Sequence, residues 1–338
     1  MTHRALPAPA RTAHPGILGV GGYRPHRVVP NEEICRHIDS SDEWIRTRSG
    51  IRTRRWASAE ETLVAMGAHA AGKALAQAGV RADQVDCVIV ATFTHMQQTP
   101  AAAPMIADRI RIRGAAAFDV SAGCAGFVHA LALAADAIRA GTSRYVLVVG
   151  AERMTDLLDV TDRSTAFLFG DGAGAVVLGP VGANAVGPVV WGADGAQADA
   201  IAQTTPWNEW HGTTGEHATR RPALRQDGQR VYRWAAFEMA RVAQQALDAA
   251  GLTPADLDAF VPHQANVRII DHLADRLRLP SHVAVARDVE TTGNTSGASI
   301  PLALDHLLQQ GTLAPGARTL LLGYGAGLSY AATVVTLP

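Results

Sequence analysis

The chain has 338 residues, 48% of them hydrophobic and 18% charged, with a formal net charge of −1. That length accommodates two domains or one large two-part domain, and a mean hydropathy of +0.05 is ordinary for a globular protein. The near-zero balance supplies no global field for nucleic acid, and no apolar run reaches the roughly 18 residues of a membrane span.

Residues 1–16 carry Arg4, Arg11 and several prolines but no hydrophobic stretch, so they read as a flexible leader rather than a secretory signal. The first acidic residue is Glu32, which leaves a transit peptide open. Gly19-Val20-Gly21-Gly22 follows a predicted strand, yet Pro25 comes next and a third glycine is missing, so the dinucleotide fingerprint fails. Cys35 falls on a predicted amphipathic helix. Glu61–Ala78 reads as a helix and holds Lys73, the only lysine, with no glycine-rich loop before it. Schiff-base, P-loop and pyridoxal chemistry are therefore weak readings. Val85–Thr92 and Ala117–Val120 read as buried strands, Gly126–Ala140 as a helix, and Tyr145–Gly150 and Ala173–Leu178 as strands. Phe169–Gly174 (FGDGAG) enters a strand and so reads as a turn. Residues 191–222 read as a loop excursion, Val231–Ala250 and Ala298–Gln310 as helices. Strands alternating with helices predict an α/β fold with a largely parallel sheet.

The pattern also repeats. Ala78–Asp86 (AGVRADQVD) matches Ala250–Asp258 (AGLTPADLD) at an offset of 172 residues, and Arg144–Gly150 (RYVLVVG) resembles Arg318–Tyr324 (RTLLLGY) at 174. The helices ending at Gly141 and Gly311 correspond at 170. Two similar halves are expected, 17–180 and 181–338. At that last offset Cys124 falls opposite Asn294, each just before a helix, which predicts two helix N-termini converging on a site suited to an anionic intermediate.

Three cysteines make no disulfide framework and have no CxxC spacing for zinc, which points to a reducing cytoplasm. Cys35 and Cys87 fit inert packing. Cys124, in Ser121-Ala122-Gly123-Cys124-Ala125-Gly126, does not: small neighbours allow close approach, and a helix N-terminus favours the thiolate by up to ~2 kcal/mol. His263, in Pro262-His263-Gln264-Ala265-Asn266, sits where open α/β sheets place ligands, though most histidines are structural. Asn294, in Gly293-Asn294-Thr295-Ser296, is by itself equally a helix cap. Gly323-Tyr324-Gly325-Ala326-Gly327 brings bare backbone close to any reacting atom.

These motifs in order (SAGCAGF, VPHQAN, GNTSGAS, FGDGAGA, GYGAGLSY) with DEWIRTRSGIRTR at 42–54 resemble β-ketoacyl-acyl carrier protein synthase III. The chain is also similar to the starter-unit synthases that prime aromatic polyketide pathways. The resemblance implies a thiolase-like fold, duplicated halves packed about a pseudo-dyad in αβαβα layers. It implies decarboxylative Claisen condensation of an acyl-CoA with malonyl-acyl carrier protein, coenzyme A being substrate and no cofactor or metal being needed. Cys124 would be the nucleophile, His263 and Asn294 the donors to the enolate, and the backbone N–H groups of Cys124 and Ala326 the oxyanion hole. Many relatives have glycine where Ala326 stands. Trp44, Arg48, Arg163 and Asn266 match coenzyme A contacts, with Trp44 and Arg163 around the adenine. Thr99, contributed across a homodimer interface, and Met154 match the acyl pocket; neither is bulky, which implies tolerance of propionyl, branched or longer starters. Arg233, Arg268 and Arg276 match a basic rim for the acidic carrier, and Asp275 departs from it. The rival readings are a type III polyketide synthase, a Cys–His acyltransferase or hydrolase, and an inert partner subunit.

Overall fold

The computed structural model describes residues 13–212 and 220–338. Its first part runs β1 (His14–Tyr23), β2 (Arg27–Pro30), α1 (Asn31–Ile34), α2 (Asp42–Ser49), β3 (Thr53–Trp56), α3 (Leu63–Ala78), β4 (Cys87–Ala91), α4 (Ala102–Arg109), β5 (Ala116–Val120), α5 (Gly126–Arg139), β6 (Val146–Arg153) and β7 (Asp171–Val181). The second runs β8 (Val190–Ala193), β9 (Ile201–Gln203), β10 (Leu224–Gln226), α6 (Gly228–Ala250), β11 (Ala259–Pro262), α7 (Val267–Leu277), β12 (Ala284–Val285), α8 (Val289–Thr292), α9 (Ser299–Gln309), β13 (Arg318–Gly325) and β14 (Ser329–Thr336).

The repeated sequence is a repeated joint. Gly79 and Gly251 close α3 and α6 in the left-handed conformation, at φ 64° and 68°. A short 3-10 turn follows each, and then the repeated aspartates receive the start of a neighbouring strand. Asp86 accepts the Arg144 N–H and Asp258 the Arg318 N–H, both at 2.7 Å. Each carboxylate thus fixes where the central strand β6 or β13 begins beside β4 or β11.

Two five-stranded sheets result, ordered β5-β4-β6-β7-β1 and β12-β11-β13-β14-β8. In both, the first three strands pair in parallel and the last two join antiparallel. Strand alternation assigns the faces. In β4 and β6, Ile89, Val146 and Val148 join the central core, whereas Val88, Val90, Leu147 and Val149 pack outward with α3 and α4. The central core contains α5 and α9 between the sheets, and α6 and α7 cover the outer face of the second sheet. This is the αβαβα layering that the resemblance implies.

Three expectations shift. The sequence predicts a leader over residues 1–16, but β1 already begins at His14, pairing with Val181; residues 1–12 lie outside the described residues. The excursion 191–222 contains most of β8, an edge strand of the second sheet, and β9, which pairs with β10; residues 213–219 lie outside the described residues. The helix expected from Glu61 starts at Leu63, because Thr62 caps it and Glu61 instead accepts bonds from Tyr23, His26 and Ser58.

The halves meet at backbone distance. A Cβ on Gly150 of β6 would lie 2.3 Å from the Gly297 carbonyl oxygen, at the turn leading into α9. Gly323 of β13 faces the turn leading into α5 in the same manner, its Cβ position lying 3.0 Å from the Ala125 Cα. Gly150→Ala is expected to destabilise the fold by about 1–3 kcal/mol. Gly72→Ala, on the exposed face of α3 with no atom near the new methyl, is expected to stabilise by about 0.5–1 kcal/mol. Urea unfolding midpoints of the two variants check the pair, and a neutral Gly150→Ala would contradict this packing.

Candidate active site

The turns before α5 and α9 deliver the reactive side chains. Cys124 lies in a 3-10 turn, Gly123–Ala125, between β5 and α5. Asn294 and Ser296 lie between α8 and α9, and Ser296 adopts φ 47°. His263 follows β11, its N–H donating to the Leu322 carbonyl of β13 at 2.7 Å. Cys124, His263, Asn294 and Ala326 line one narrow cavity of about 40 Å³, with Met154, Phe93 and Tyr324 among its walls.

The contacts orient each group. Ser296 Oγ donates to Cys124 Sγ at 3.2 Å. The backbone N–H groups of Cys124 and Ala326 also address the sulfur. Gly325 is glycine by necessity, because a Cβ there would sit 2.9 Å from that sulfur. Asn294 uses its carboxamide oxygen to accept the Ser296 N–H at 2.8 Å, which leaves its NH2 as the group available to the cavity. The Ser299 hydroxyl meets His263 Nδ1 at 2.8 Å and accepts the Gln264 N–H at 3.3 Å. With that nitrogen engaged, Nε2 is the ring atom available for chemistry.

Burial sets the protonation states. It holds His263 down to about 3, so the imidazole is neutral at physiological pH. It pushes the Cys124 thiol up to about 12; the Ser296 hydroxyl and the two backbone N–H groups oppose this, and nearby Glu152 adds to it. The sequence predicts a useful thiolate fraction near neutrality, and the closed site differs. A helix dipole supplies roughly one pKa unit, less than the cost of desolvating a buried thiolate.

Four groups escaped the sequence reading. Ser296 and Ser299 sit inside GNTSGAS, but a hydroxyl in a motif does not reveal its target. Phe237, over half exposed on α6, lies in an unremarkable helix. Glu152 is fully buried at the end of β6, its Oε2 accepting from the Thr92 and Thr94 hydroxyls. Burial pushes it up to about 7 despite those bonds.

A wider cleft of about 1000 Å³ leads to the surface and shares Leu168, Gln226, Val231, Asn266 and Ile269 with the cavity. It brings together Trp44, Arg48, Arg163, Asn266, Arg233 and Arg268. The Arg163 guanidinium already stacks on Trp44, 4.5 Å from the ring centroid, while its Nε donates to the Asp39 carbonyl. Asn266 caps α7 by accepting the Ile269 N–H. Arg276 is not in this cleft: it packs over Phe237 and lines a separate groove of about 800 Å³ with Arg241 and Arg278. Met154 is buried in the cavity wall, whereas Thr99 is exposed and does not reach the cavity of its own chain. Among the described residues, no cluster of histidine, cysteine, aspartate and glutamate has a metal-binding arrangement, and no helix is long and apolar enough to cross a membrane.

Residues 118–195 match the family model for 3-oxoacyl-[acyl-carrier-protein] synthase III, and residues 247–337 match the model for its C-terminal part. The chain is 61% identical to the β-ketoacyl-[acyl-carrier-protein] synthase III of Streptomyces glaucescens, over 95% of this chain and 96% of that protein. It is 59% identical to synthase III 1 of Streptomyces coelicolor, with the same two coverages. Among solved structures, the priming β-ketosynthase of the R1128 polyketide pathway superposes with a TM-score of 0.95 at 49% identity, covering 100% of this chain and 99% of that one. The synthase III of Aquifex aeolicus gives 0.87 at 36%, covering 95% and 99%.

An ionised Glu152 raises the thiol, so its removal acts in the opposite direction. Glu152→Gln is expected to lower the pH at which iodoacetamide alkylates Cys124, read by peptide mass. An unchanged or raised midpoint counts against the coupling.

Proposed function

Since the chain belongs to the β-ketoacyl-[acyl-carrier-protein] synthase III family, we propose that its narrow cavity primes fatty acid or polyketide synthesis by decarboxylative condensation of an acyl-CoA with malonyl-acyl carrier protein. The observation that carries this reading is the convergence of Cys124, His263 and Asn294 at the floor of a cleft lined by Trp44, Arg48 and Arg163.

Cys124 Sγ attacks the acyl-CoA carbonyl and its proton leaves on the departing coenzyme A thiol, while neutral His263 keeps its Nε2–H for the second stage. The tetrahedral oxyanion rests on the Cys124 and Ala326 N–H groups, and Ala326 keeps that donor despite its methyl. Malonyl-carrier then loses CO₂. The enolate oxygen accepts from His263 Nε2–H and the Asn294 NH2, and the carbanion carbon attacks the acyl thioester, expelling the Cys124 thiolate. Two neutral donors suit the step, since neither must give up its proton to stabilise the developing charge. The scheme draws on no resident cofactor.

Arg233 and Arg268 supply positive charge at the cleft mouth for an acidic carrier, with Arg276 one groove further along. The cleft is then the route by which the carrier's pantetheine arm reaches Cys124. A homodimer fits the exposed edge strand β5, where Phe118 faces solvent, and Thr99 would complete the acyl pocket of the partner. The reading places the enzyme in the cytoplasm.

Cys124→Ala is expected to abolish labelling by mass-tagged acyl-CoA; label on Cys35 or Cys87 would refute the nucleophile assignment. Asn294→Ala and His263→Ala are expected to acylate but to condense about 10²–10³-fold more slowly. Undiminished ketoacyl product would sink their roles, and free acid without ketoacyl product would favour a hydrolase. A condensation that proceeds with malonyl-CoA and no carrier would favour the type III polyketide synthase reading.

Starter range follows from Met154, whose flexible side chain must move for anything larger than a small acyl group. Competition among acyl-CoA lengths is expected to show turnover of propionyl and branched starters. Met154→Ala should extend the preference by about fourfold per added methylene, from ~0.8 kcal/mol each. Strict acetyl preference in the wild type would contradict this.

A further inference from the structure

Both sides of the Trp44–Arg163 stack are tied to one buried cation. Arg54 of β3 is fully buried. Its Nη2 donates to Asn31 Oδ1 at 2.7 Å and to the Phe167 carbonyl at 2.8 Å, and its Nη1 to the Val29 carbonyl at 3.2 Å. Asn31 extends the chain of bonds, its Nδ2 donating to Asp42 Oδ1 at 2.7 Å and to the Ile51 carbonyl at 2.9 Å. Asp42 is the first residue of α2, which carries Trp44 and Arg48. Phe167 ends the segment that carries Arg163, and its ring meets Trp44 edge-on at 5.3 Å.

We propose that Arg54 is a positioning residue for the adenine end of the cleft: it ties α2 to the 162–168 segment and so keeps Trp44 and Arg163 opposed. The inference rests on reading the cleft as a coenzyme A site. The two sides of the stack lie more than a hundred residues apart in sequence, so no local structure holds their spacing. Their direct link, Arg163 Nε to the Asp39 carbonyl, is exposed. The Arg54 fork is not: withdrawing it would strand buried acceptors. Lysine, a single point of charge, cannot reach the Val29 and Phe167 carbonyls and the asparagine together.

The test measures calorimetric affinities of the full chain for coenzyme A and for pantetheine, which lacks the adenosine. Wild type is expected to bind coenzyme A at least tenfold more tightly. Arg54→Met and Asn31→Asp are each expected to lose fivefold or more of the coenzyme A affinity while pantetheine affinity stays put. Asn31→Asp keeps an acceptor for Arg54 but sets a carboxylate against Asp42, so it decides the matter even if Arg54→Met fails to fold. The double variant Asn31→Asp with Asp42→Asn restores a donor–acceptor pair of reversed polarity and is expected to regain affinity. Wild-type preference in folded Asn31→Asp, equal losses for both ligands, or a double variant as weak as Asn31→Asp overturns the proposal. A wild type that binds pantetheine as tightly as coenzyme A overturns the underlying reading instead, before any variant is made.

Discussion

Everything at the centre of this molecule depends on one kind of close approach: β6 and β13 each press against the turn that leads into the other half's buried helix, with almost no side chain between them. Gly150 against Gly297, Gly323 against Ala125 and Gly325 against Cys124 are approaches that leave no room for another Cβ. Sandwiching two helices between two sheets forces this. The middle layer buries both helix starts, so the N–H groups there need an acceptor between them. What lies between them is the sulfur of Cys124, with Ser296 Oγ at 3.2 Å.

The same dryness governs the electrostatics. Burial keeps His263 neutral and Cys124 a thiol, and it lifts Glu152 to near neutrality. A charge created here is therefore costly unless donors already point at it. The backbone N–H groups of Cys124 and Ala326, the Asn294 NH2 and His263 Nε2 are arranged in advance around the positions where negative charge would form. The nucleophile rests uncharged and is activated only when a substrate carbonyl and a base meet it together.

The alternation of strands and helices, the internal repeat and the convergence of Cys124 with Asn294 were legible because each rests on local patterning: period, glycine caps and a constant offset. The repeated aspartates illustrate why the offset is real, since Asp86 and Asp258 perform the same backbone task. The sequence singles out Cys124 among the three cysteines but not the state of its thiol, since a helix start is visible in sequence and the depth of burial is not. Glu152 and Arg54 were silent for a related reason. Each looks like an ordinary charged residue at a strand end until long-range packing removes water from around it. Thr99 marks another boundary: a residue that would act across a subunit interface has no site within its own chain.

The stack of Arg163 on Trp44 makes the aromatic slot self-occupied. A purine held between them needs about 7 Å, two van der Waals contacts, where the present spacing is 4.5 Å. Any ligand ending in adenine must therefore displace an internal cation–π contact of about 0.5–1 kcal/mol. A ligand offering the pantetheine arm alone meets no such competitor. The slot thus sets a threshold of its own: a flat ring enters it when that ring gains more from Trp44 than the Arg163 guanidinium does.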